Sequence, residues 1–97
     1  MTVNLNNFAA ALRSRDRLAI LQLIGSEELS AIEVHRKYSS KNPSTGKHRE
    51  SIYRDLEMLV EVGLLEKKYD VKRKQITYSL KTKTVEIELP SGKITVK

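Results

Sequence analysis

The feature that most constrains this chain is a change in the period of its apolar residues between residues 44 and 80. As far as Val62 the period is helical, and a helix placed from about Gly46 to Val62 gathers its apolar side chains on one side, with Gly63 at its end. Glycine ends a helix readily because it enters the left-handed conformation without a Cβ penalty. Beyond it the period becomes two over 64–80, which predicts a hairpin of two strands with a basic turn. The apolar stripe of the helix consists of Ile52, Leu56, Leu59 and Val60.

A first helix is predicted over residues 5–24, where apolar residues keep helical spacing on a wide stripe. Gly25-Ser26 ends it. Ser14 and Asp16 both suit the N-cap position, so the helix could also be broken in two between them.

A second, short helix is predicted from a capping-box pattern that begins at Ser30 and continues through about Tyr38. At most a short strand is expected between the first two helices. A segment of turn composition around Pro43 follows, because the residue before a proline disfavours the helical conformation. Ser44 or Thr45 would then cap the third helix.

The order of these elements predicts an α+β fold, a winged helix-turn-helix of three helices and a β-hairpin wing, with an additional C-terminal β-hairpin. The tail supports this addition, since apolar residues alternate with Glu86 and Glu88 before a Pro-Ser-Gly turn. We expect one domain over residues 1–97, with helices within 5–62, the wing at 64–80 and the C-terminal hairpin at 84–97.

The charge is concentrated where such a fold would meet nucleic acid. The chain carries a net +6, but residues 35–54 sum to +5, residues 55–66 to −4, and residues 67–74 to +4. The two basic blocks coincide with the start of the third helix and with the wing, and they avoid the acidic second half of that helix. A surface focused in this way attracts phosphate, although a solvated charged face is the alternative for any single block.

Several other classes of protein lack support in the sequence. No secretory signal, membrane span or cysteine is present, so a cytoplasmic protein is expected. No nucleophile–base set or phosphate-binding glycine loop appears, since Gly46-Lys47 lacks the surrounding Walker pattern, and an enzyme is not expected. His35 and His48 are too few and too far apart for a metal site. We therefore expect no metal, no cofactor and no evident small-molecule effector.

The stretch from Ser30 to Leu65 resembles the DNA-binding half of ferric-uptake-regulator-type repressors. The resemblance rests on Asn42-Pro43-Ser44, on the run Ser51-Ile52-Tyr53-Arg54-Asp55-Leu56, and on Glu61-Val62-Gly63-Leu64-Leu65. Arg17-Leu18-Ala19-Ile20-Leu21 and the wing are also similar to regulators of the arsenical-repressor type.

Two departures from the ferric-uptake pattern limit what the resemblance implies. Those repressors continue into a metal-binding dimerisation domain rich in His and Cys, whereas here only a short hairpin follows. The loop from Pro43 to Ile52 is also slightly longer than their usual spacing. Metal sensing is therefore not carried over. The resemblance does imply that Tyr53 and Arg54 approach DNA.

The third helix is expected to lie in the major groove with its first half against base edges. Lys47, Ser51 and Arg54 fall on its outward face, where Arg and Lys can read guanine. Tyr53 flanks this face, with half-buried packing against the second helix as its alternative. The wing cations would grip phosphate or enter the minor groove. The expected DNA-contacting residues are Lys47, His48, Arg49, Ser51, Tyr53, Arg54, Lys72, Arg73 and Lys74.

The function predicted from the sequence is that of a sequence-specific regulator of transcription that binds double-stranded DNA as a homodimer on two half-sites. The families that it resembles are repressors, and the sequence itself does not decide between activation and repression. Dimer contacts would use the first helix, through Leu5, Phe8 and Leu12, or the C-terminal hairpin, whose apolar stripe lacks an evident partner. The alternatives are a winged-helix adaptor for protein–protein contact in transcription or replication machinery, and an RNA-binding module.

Overall fold

The computed structural model describes residues 2–3, 5–44 and 46–97. These residues form four helices and six strands. In chain order they are β1 (Thr2–Val3), α1 (Leu5–Leu12), α2 (Arg15–Ile24), β2 (Leu29–Ser30), α3 (Ala31–Lys41), α4 (Arg49–Glu61), β3 (Leu65–Asp70), β4 (Gln75–Leu80), β5 (Val85–Glu88) and β6 (Lys93–Val96).

The helical stretch predicted over 5–24 is broken at Ser14, which gives four helices where three were predicted. The Ser14 side chain accepts a hydrogen bond from the backbone N–H of Arg17 at 3.3 Å and so caps α2. This cap stabilises a new helix start at the expense of continuity. The α+β class predicted from the sequence is confirmed, and the alternative of a broken first helix is the one observed.

The start of α3 is fixed by the capping box that the sequence predicts. The Ser30 hydroxyl accepts from the Glu33 backbone N–H at 3.2 Å, and the Glu33 carboxylate accepts from the Ser30 N–H at 3.0 Å. The helix continues to Lys41, three residues beyond the predicted end, and the Asn42 side chain donates to the Tyr38 carbonyl at 3.0 Å. Both ends of α3 are therefore satisfied by side chains.

Gly63 ends the fourth helix as predicted, with a φ of +86°. The next backbone N–H, that of Leu64, donates back to the Leu59 carbonyl at 3.0 Å. This is the hydrogen bond expected when the residue after a helix adopts the left-handed conformation. It turns the chain directly into β3.

The strands form two antiparallel sheets of three strands each. One has the order β2-β4-β3, and its hairpin register pairs Leu65 with Leu80 and Tyr69 with Ile76. The other has the order β1-β6-β5, with Val3 opposite Ile94 and Ile94 opposite Ile87. The sequence analysis allowed for β2 but did not predict β1, whose two residues are too short for a period to be read.

The core joins the helices to the inner faces of both sheets. It includes Ile94, which is fully buried, so the C-terminal hairpin packs on its own chain through this residue and does not lack a partner. Phe8 is also buried in this core, which removes it from the exposed dimer surface proposed for the first helix. The buried apolar residues are Phe8, Ala11, Ile20, Ile24, Leu29, Val34, Tyr38, Ile52, Leu56, Leu59, Val62, Leu64, Leu65, Tyr78 and Ile94.

Candidate nucleic-acid interface

The first half of α4 carries the largest group of predicted contact residues. His48 occupies the N-cap position and makes no side-chain capping bond, and Arg49 is the first helical residue. Both are exposed, as is Arg54, while Tyr53 is 48% exposed and Ser51 is half-buried. Because His48 leaves the first N–H groups of α4 without a side-chain acceptor, the helix start offers backbone donors as well as cations.

A shallow surface groove brings three of these side chains together. Arg49, Tyr53 and Arg54 line it with Glu50, and Ala31 from the start of α3 closes its other side. Tyr53 therefore lies at the open junction of α3 and α4, and the half-buried packing considered from the sequence describes only one side of its ring. Contact of these residues with DNA stays a prediction.

Lys47 does not lie on the outward face of the helix, which corrects the placement predicted from the sequence. The helix begins at Arg49 and not near Gly46, and the Lys47 ammonium points inward, 2.9 Å from Asp16 and 3.0 Å from Asp55. Its side chain is only 16% exposed. The sequence could not show this, because the wheel argument assumed that residue 47 was already helical.

The acidic partners of Lys47 belong to a polar cluster that joins all four helices. Arg17 pairs with Asp55 at 3.1 Å and donates to the carbonyl oxygens of Ala10 and Ala11 at 2.8 and 2.7 Å. Arg17 Nη1 thus reaches Asp55 on α4, while Nε and Nη2 reach the end of α1. This cluster was not predicted from the sequence. The available signal was an aspartate, Asp55, flanking the apolar stripe of the helix.

The pKa shifts of Asp16 and Lys47 both favour the charged forms. Hydrogen bonds from Lys47 and from the Tyr38 hydroxyl hold the pKa of Asp16 below its ordinary value. Burial alone would lower the pKa of Lys47, but its bonds to Asp16 and Asp55 outweigh that effect and raise it. His35 adds a bond from Nε2 to the Lys47 carbonyl oxygen at 2.9 Å. The loop before α4 is therefore held through both the backbone and the side chain of Lys47.

The second half of α4 is joined to the β3–β4 hairpin through Glu57. Its carboxylate accepts from Lys67 and from the buried Tyr78 hydroxyl, each at 2.7 Å. Burial acts to raise the pKa of Glu57, but these two bonds outweigh it and lower the pKa. Burial, with the nearby Glu57 charge, raises the pKa of Tyr78. Glu57 thus sets the position of the hairpin against the helix.

The tip of the hairpin is organised by Asp70. One carboxylate oxygen accepts from the backbone N–H groups of Lys72 and Arg73 at 3.0 and 3.1 Å, and Lys74 adopts a positive φ of 55°. Lys72 and Lys74 are exposed. Arg73 instead folds back, with its guanidinium 3.3 Å from Glu33 at the start of α3.

The cations of the two basic blocks separate into those that pair with a carboxylate of the chain and those that do not. Lys47, Lys67 and Arg73 each pair with a carboxylate. Four of the predicted contact residues form no ion pair with any residue that the structure describes. These are Arg49, Arg54, Lys72 and Lys74.

The described residues form neither a metal-binding cluster nor a membrane-spanning helix. Within residues 2–3, 5–44 and 46–97, no three His, Asp or Glu side chains gather closely enough to hold a metal ion. None of the described helices is long and apolar enough to cross a bilayer.

Solved structures of three bacterial ferric uptake regulators are similar to this chain in fold. The Helicobacter pylori protein aligns with a TM-score of 0.62 and 20% identity, over 97% of this chain and 71% of its own. The Vibrio cholerae protein aligns with a TM-score of 0.60 and 18% identity, over 93% of this chain and 76% of its own. The Pseudomonas aeruginosa protein, solved with manganese, aligns with a TM-score of 0.56 and 16% identity, over 87% of this chain and 65% of its own.

This likeness concerns the fold alone, because the identities are low. The Helicobacter pylori structure is described as having three functional metal binding sites, which is a property of that protein. A scan against family models finds no match, and a search of the curated proteins finds none either. The likeness in fold agrees with the resemblance to ferric-uptake regulators drawn from the sequence. The resemblance to arsenical repressors is not shown by these structures.

Proposed function

We propose that this chain is a sequence-specific regulator of transcription that binds double-stranded DNA as a winged helix-turn-helix. In this proposal residues 1–97 act as one domain, α3 and α4 form the helix-turn-helix, and the β3–β4 hairpin is the wing. The supporting observation is that four predicted contact cations, two in the first half of α4 and two at the tip of the hairpin, pair with no carboxylate that the structure describes. In the second half of α4, Asp55 and Glu57 are paired with cations of their own chain.

The start of α3 links these two basic regions in space. Ala31 lines the groove that holds Arg49, Tyr53 and Arg54, and Glu33, half a turn further on, contacts Arg73 at the hairpin tip. The two regions therefore flank one element of the same surface. This geometry fits a duplex that runs past both α4 and the wing.

In the proposed complex, the first half of α4 enters the major groove. Arg54 reads a guanine edge through O6 and N7, and Tyr53 contacts the neighbouring base or sugar. Ser51 is near enough to the same face to accept or donate a bond to a base. Arg49 and His48 bind phosphate together with the free N–H groups of the helix start.

The wing contributes affinity and register without reading sequence. Lys72 and Lys74 contact phosphate from the exposed tip of the hairpin. Lys47 has a different role from the one predicted for it, since its ammonium already binds two carboxylates. We assign it the positioning of α4 through the loop before that helix.

We further propose that the chain acts as a homodimer on two half-sites. Phe8 is buried, so the C-terminal hairpin offers the better dimer surface, with Ile87 53% and Leu89 84% exposed. The sense of regulation, repression, follows from the resemblance drawn from the sequence alone.

Selection of bound duplexes from a random pool tests this proposal. We expect enrichment of an inverted repeat whose half-sites lie about one helical turn apart. The Arg54→Ala variant should relax the preference at one base position, at a cost of about 1–3 kcal/mol. The matched control Lys93→Ala removes an exposed cation from the tail and should leave the selected sequence unchanged.

The same experiment separates the proposal from a protein-adaptor function. The exposed apolar side chains of the tail are the observation that favours an adaptor, since apolar patches often mark protein contacts. If the full chain enriched no duplex sequence over the starting pool, the DNA-reading proposal would be wrong and the adaptor function would be favoured.

A further inference from the structure

We infer that Glu33 is an internal competitor with DNA for Arg73, so that part of the wing is held in a latched state until a phosphate replaces the carboxylate. This inference rests on the proposed function, since it concerns how the wing engages DNA. It assigns a role in DNA affinity to an acidic residue of α3 that neither the sequence nor the fold comparison singles out.

The latch is a set of polar contacts made by one guanidinium. Arg73 Nη1 lies 3.3 Å from the Glu33 carboxylate and donates to the Glu28 carbonyl, also at 3.3 Å. Arg73 Nε lies 3.5 Å from the Asp70 carboxylate. Two carboxylates thus face one cation, and the positive charge that the wing tip needs for phosphate is locally cancelled. Lys72 and Lys74 on either side carry no such contact among the described residues.

The fold does not require Arg73 in this position. Glu33 is already used by the capping box, in which it accepts from the Ser30 N–H. That bond, with a smaller contribution from Arg73, keeps the pKa of Glu33 below its ordinary value, so the carboxylate is charged. Asp70 organises the hairpin tip through backbone N–H groups, independently of the guanidinium. Each partner therefore keeps its structural role if Arg73 leaves.

Arg73 is also accessible enough to exchange partners. Its side chain is 46% exposed, and exposed ion pairs contribute little to stability. A DNA phosphate near the wing tip is a comparable or better acceptor for an arginine fork. Glu33 would then be left beside the phosphate, where like charges repel. Both effects mean that the Glu33 carboxylate lowers the affinity for DNA.

The Glu33→Gln variant isolates this cost. Glutamine preserves the capping box, because it can accept the Ser30 N–H at the same position. It removes the negative charge that faces Arg73. We expect duplex affinity to rise about two- to fivefold, the range that corresponds to a weak exposed pair. The slope of log K against log salt should also become steeper, by up to about 0.9, as Arg73 gains a phosphate.

Two controls separate the latch from a general change in net charge. Glu61→Gln makes the same charge change at an exposed residue of α4 that pairs with no described cation, and it should give a smaller gain. In an Arg73→Gln background, Glu33→Gln should lose most of its effect, because the competing cation is gone. Arg73→Gln alone should reduce the salt slope less than Lys74→Gln does.

The inference would be overturned if Glu33→Gln gained no more than Glu61→Gln, or if its gain persisted without Arg73. Unfolding by urea would check that each variant folds. If Glu33→Gln proved unfolded, the slopes of log K against log salt for Arg73→Gln and Lys74→Gln would still test the latch. Equal reductions of the salt slope in these two variants would contradict it. A wild-type chain that bound no duplex would instead remove the proposed function, and the latch with it.

Discussion

Individual charged residues in this chain differ in what they are free to do, although the sequence makes them look alike. Arg54 is exposed and forms no ion pair with a described residue, whereas Lys47 is largely buried between Asp16 and Asp55. Both were predicted to face DNA. A side chain that already satisfies two carboxylates has little to gain from phosphate, so the two residues are given different roles.

The charged cluster also predicts how stability depends on pH. The pKa values of Asp16 and Glu57 are lowered from 3.8 and 4.5, so these carboxylates bind fewer protons in the folded chain than in the unfolded one. Their contribution to the free energy of unfolding is fully present above those values, and it is lost as pH falls through the lower pKa of the folded chain. We expect the free energy of unfolding to be steady near neutral pH and to fall below about pH 4.5.

Urea unfolding at a series of pH values measures this dependence. Asp16→Asn should flatten the acid branch, because it removes one of the titrating groups. A control variant at the exposed Glu50, for which no ion pair with a described residue is present, should leave the branch as it is. Equal stability at neutral pH and at pH 3 in the wild-type chain would show that the cluster does not stabilise the fold.

At the scale of elements, the loop before α4 is the part that positions the candidate interface. Lys47→Ala leaves the buried Asp55 with Arg17 alone, and we expect a loss of about 1–3 kcal/mol in unfolding free energy. DNA affinity should fall because the start of α4 is less well fixed, yet the salt slope should stay unchanged, since no phosphate contact is removed.

Lys74→Ala is the matched control, because it removes an exposed lysine from the hairpin tip. Stability should be unaffected and the salt slope should fall by about 0.9. Fluorescence anisotropy of a labelled duplex over a range of salt gives both slopes. A drop in slope for Lys47→Ala, equal to that of Lys74→Ala, would return Lys47 to the set of phosphate contacts.

The apolar stripe of α4 predicts a larger effect on stability. Leu56 is fully buried, so Leu56→Ala should cost about 2–5 kcal/mol, through lost burial and the cavity that remains. Leu18→Ala at an exposed leucine of α2 should cost far less. Thermal unfolding of the two variants provides the comparison, and similar losses would mean that the packing of α4 is not as described.

These elements show which parts of the structure a sequence can predict. The period of α4, the glycine at 63 and the alternation over β3 and β4 are local patterns, and the structure has them at nearly the predicted positions. The start of α4 was misplaced because contacts from α2 hold Lys47 outside the helix. Such contacts join residues 31 or more positions apart, and no periodicity records them. The partner of Arg73 was missed for the same reason.

For the molecule as a whole, the C-terminal hairpin belongs to the folded body. Ile94 is fully buried, β6 pairs with β1, and Thr82 donates to the Gly63 carbonyl at 2.8 Å, which fastens the segment before the hairpin to the end of α4. The sequence suggested that the hairpin lacked a partner. Its exposed residues, Ile87 and Leu89, remain the proposed dimer surface.

Deletion of residues 84–97 should therefore destabilise the chain severely, because it removes a core side chain and the partner of β1. Ile87→Ser is the matched variant, since it changes an exposed residue of the same hairpin and should preserve the fold while weakening a dimer. Circular dichroism and light scattering report the two effects. A truncated chain that stayed fully folded would show that Ile94 adds little to the core, and a dimer that survived Ile87→Ser would place the interface elsewhere.

We propose that the cations at the start of α4 and at the hairpin tip meet DNA phosphate or bases. The most direct test of this proposal is the affinity of the chain for its selected duplex as salt is raised. Among the predicted contact cations, Arg49, Arg54, Lys72 and Lys74 form no ion pair with any residue that the structure describes. With about 0.9 for each of the three phosphate contacts proposed for Arg49, Lys72 and Lys74, we predict a slope of log K against log salt of about −3 per subunit. A slope near zero would contradict the account.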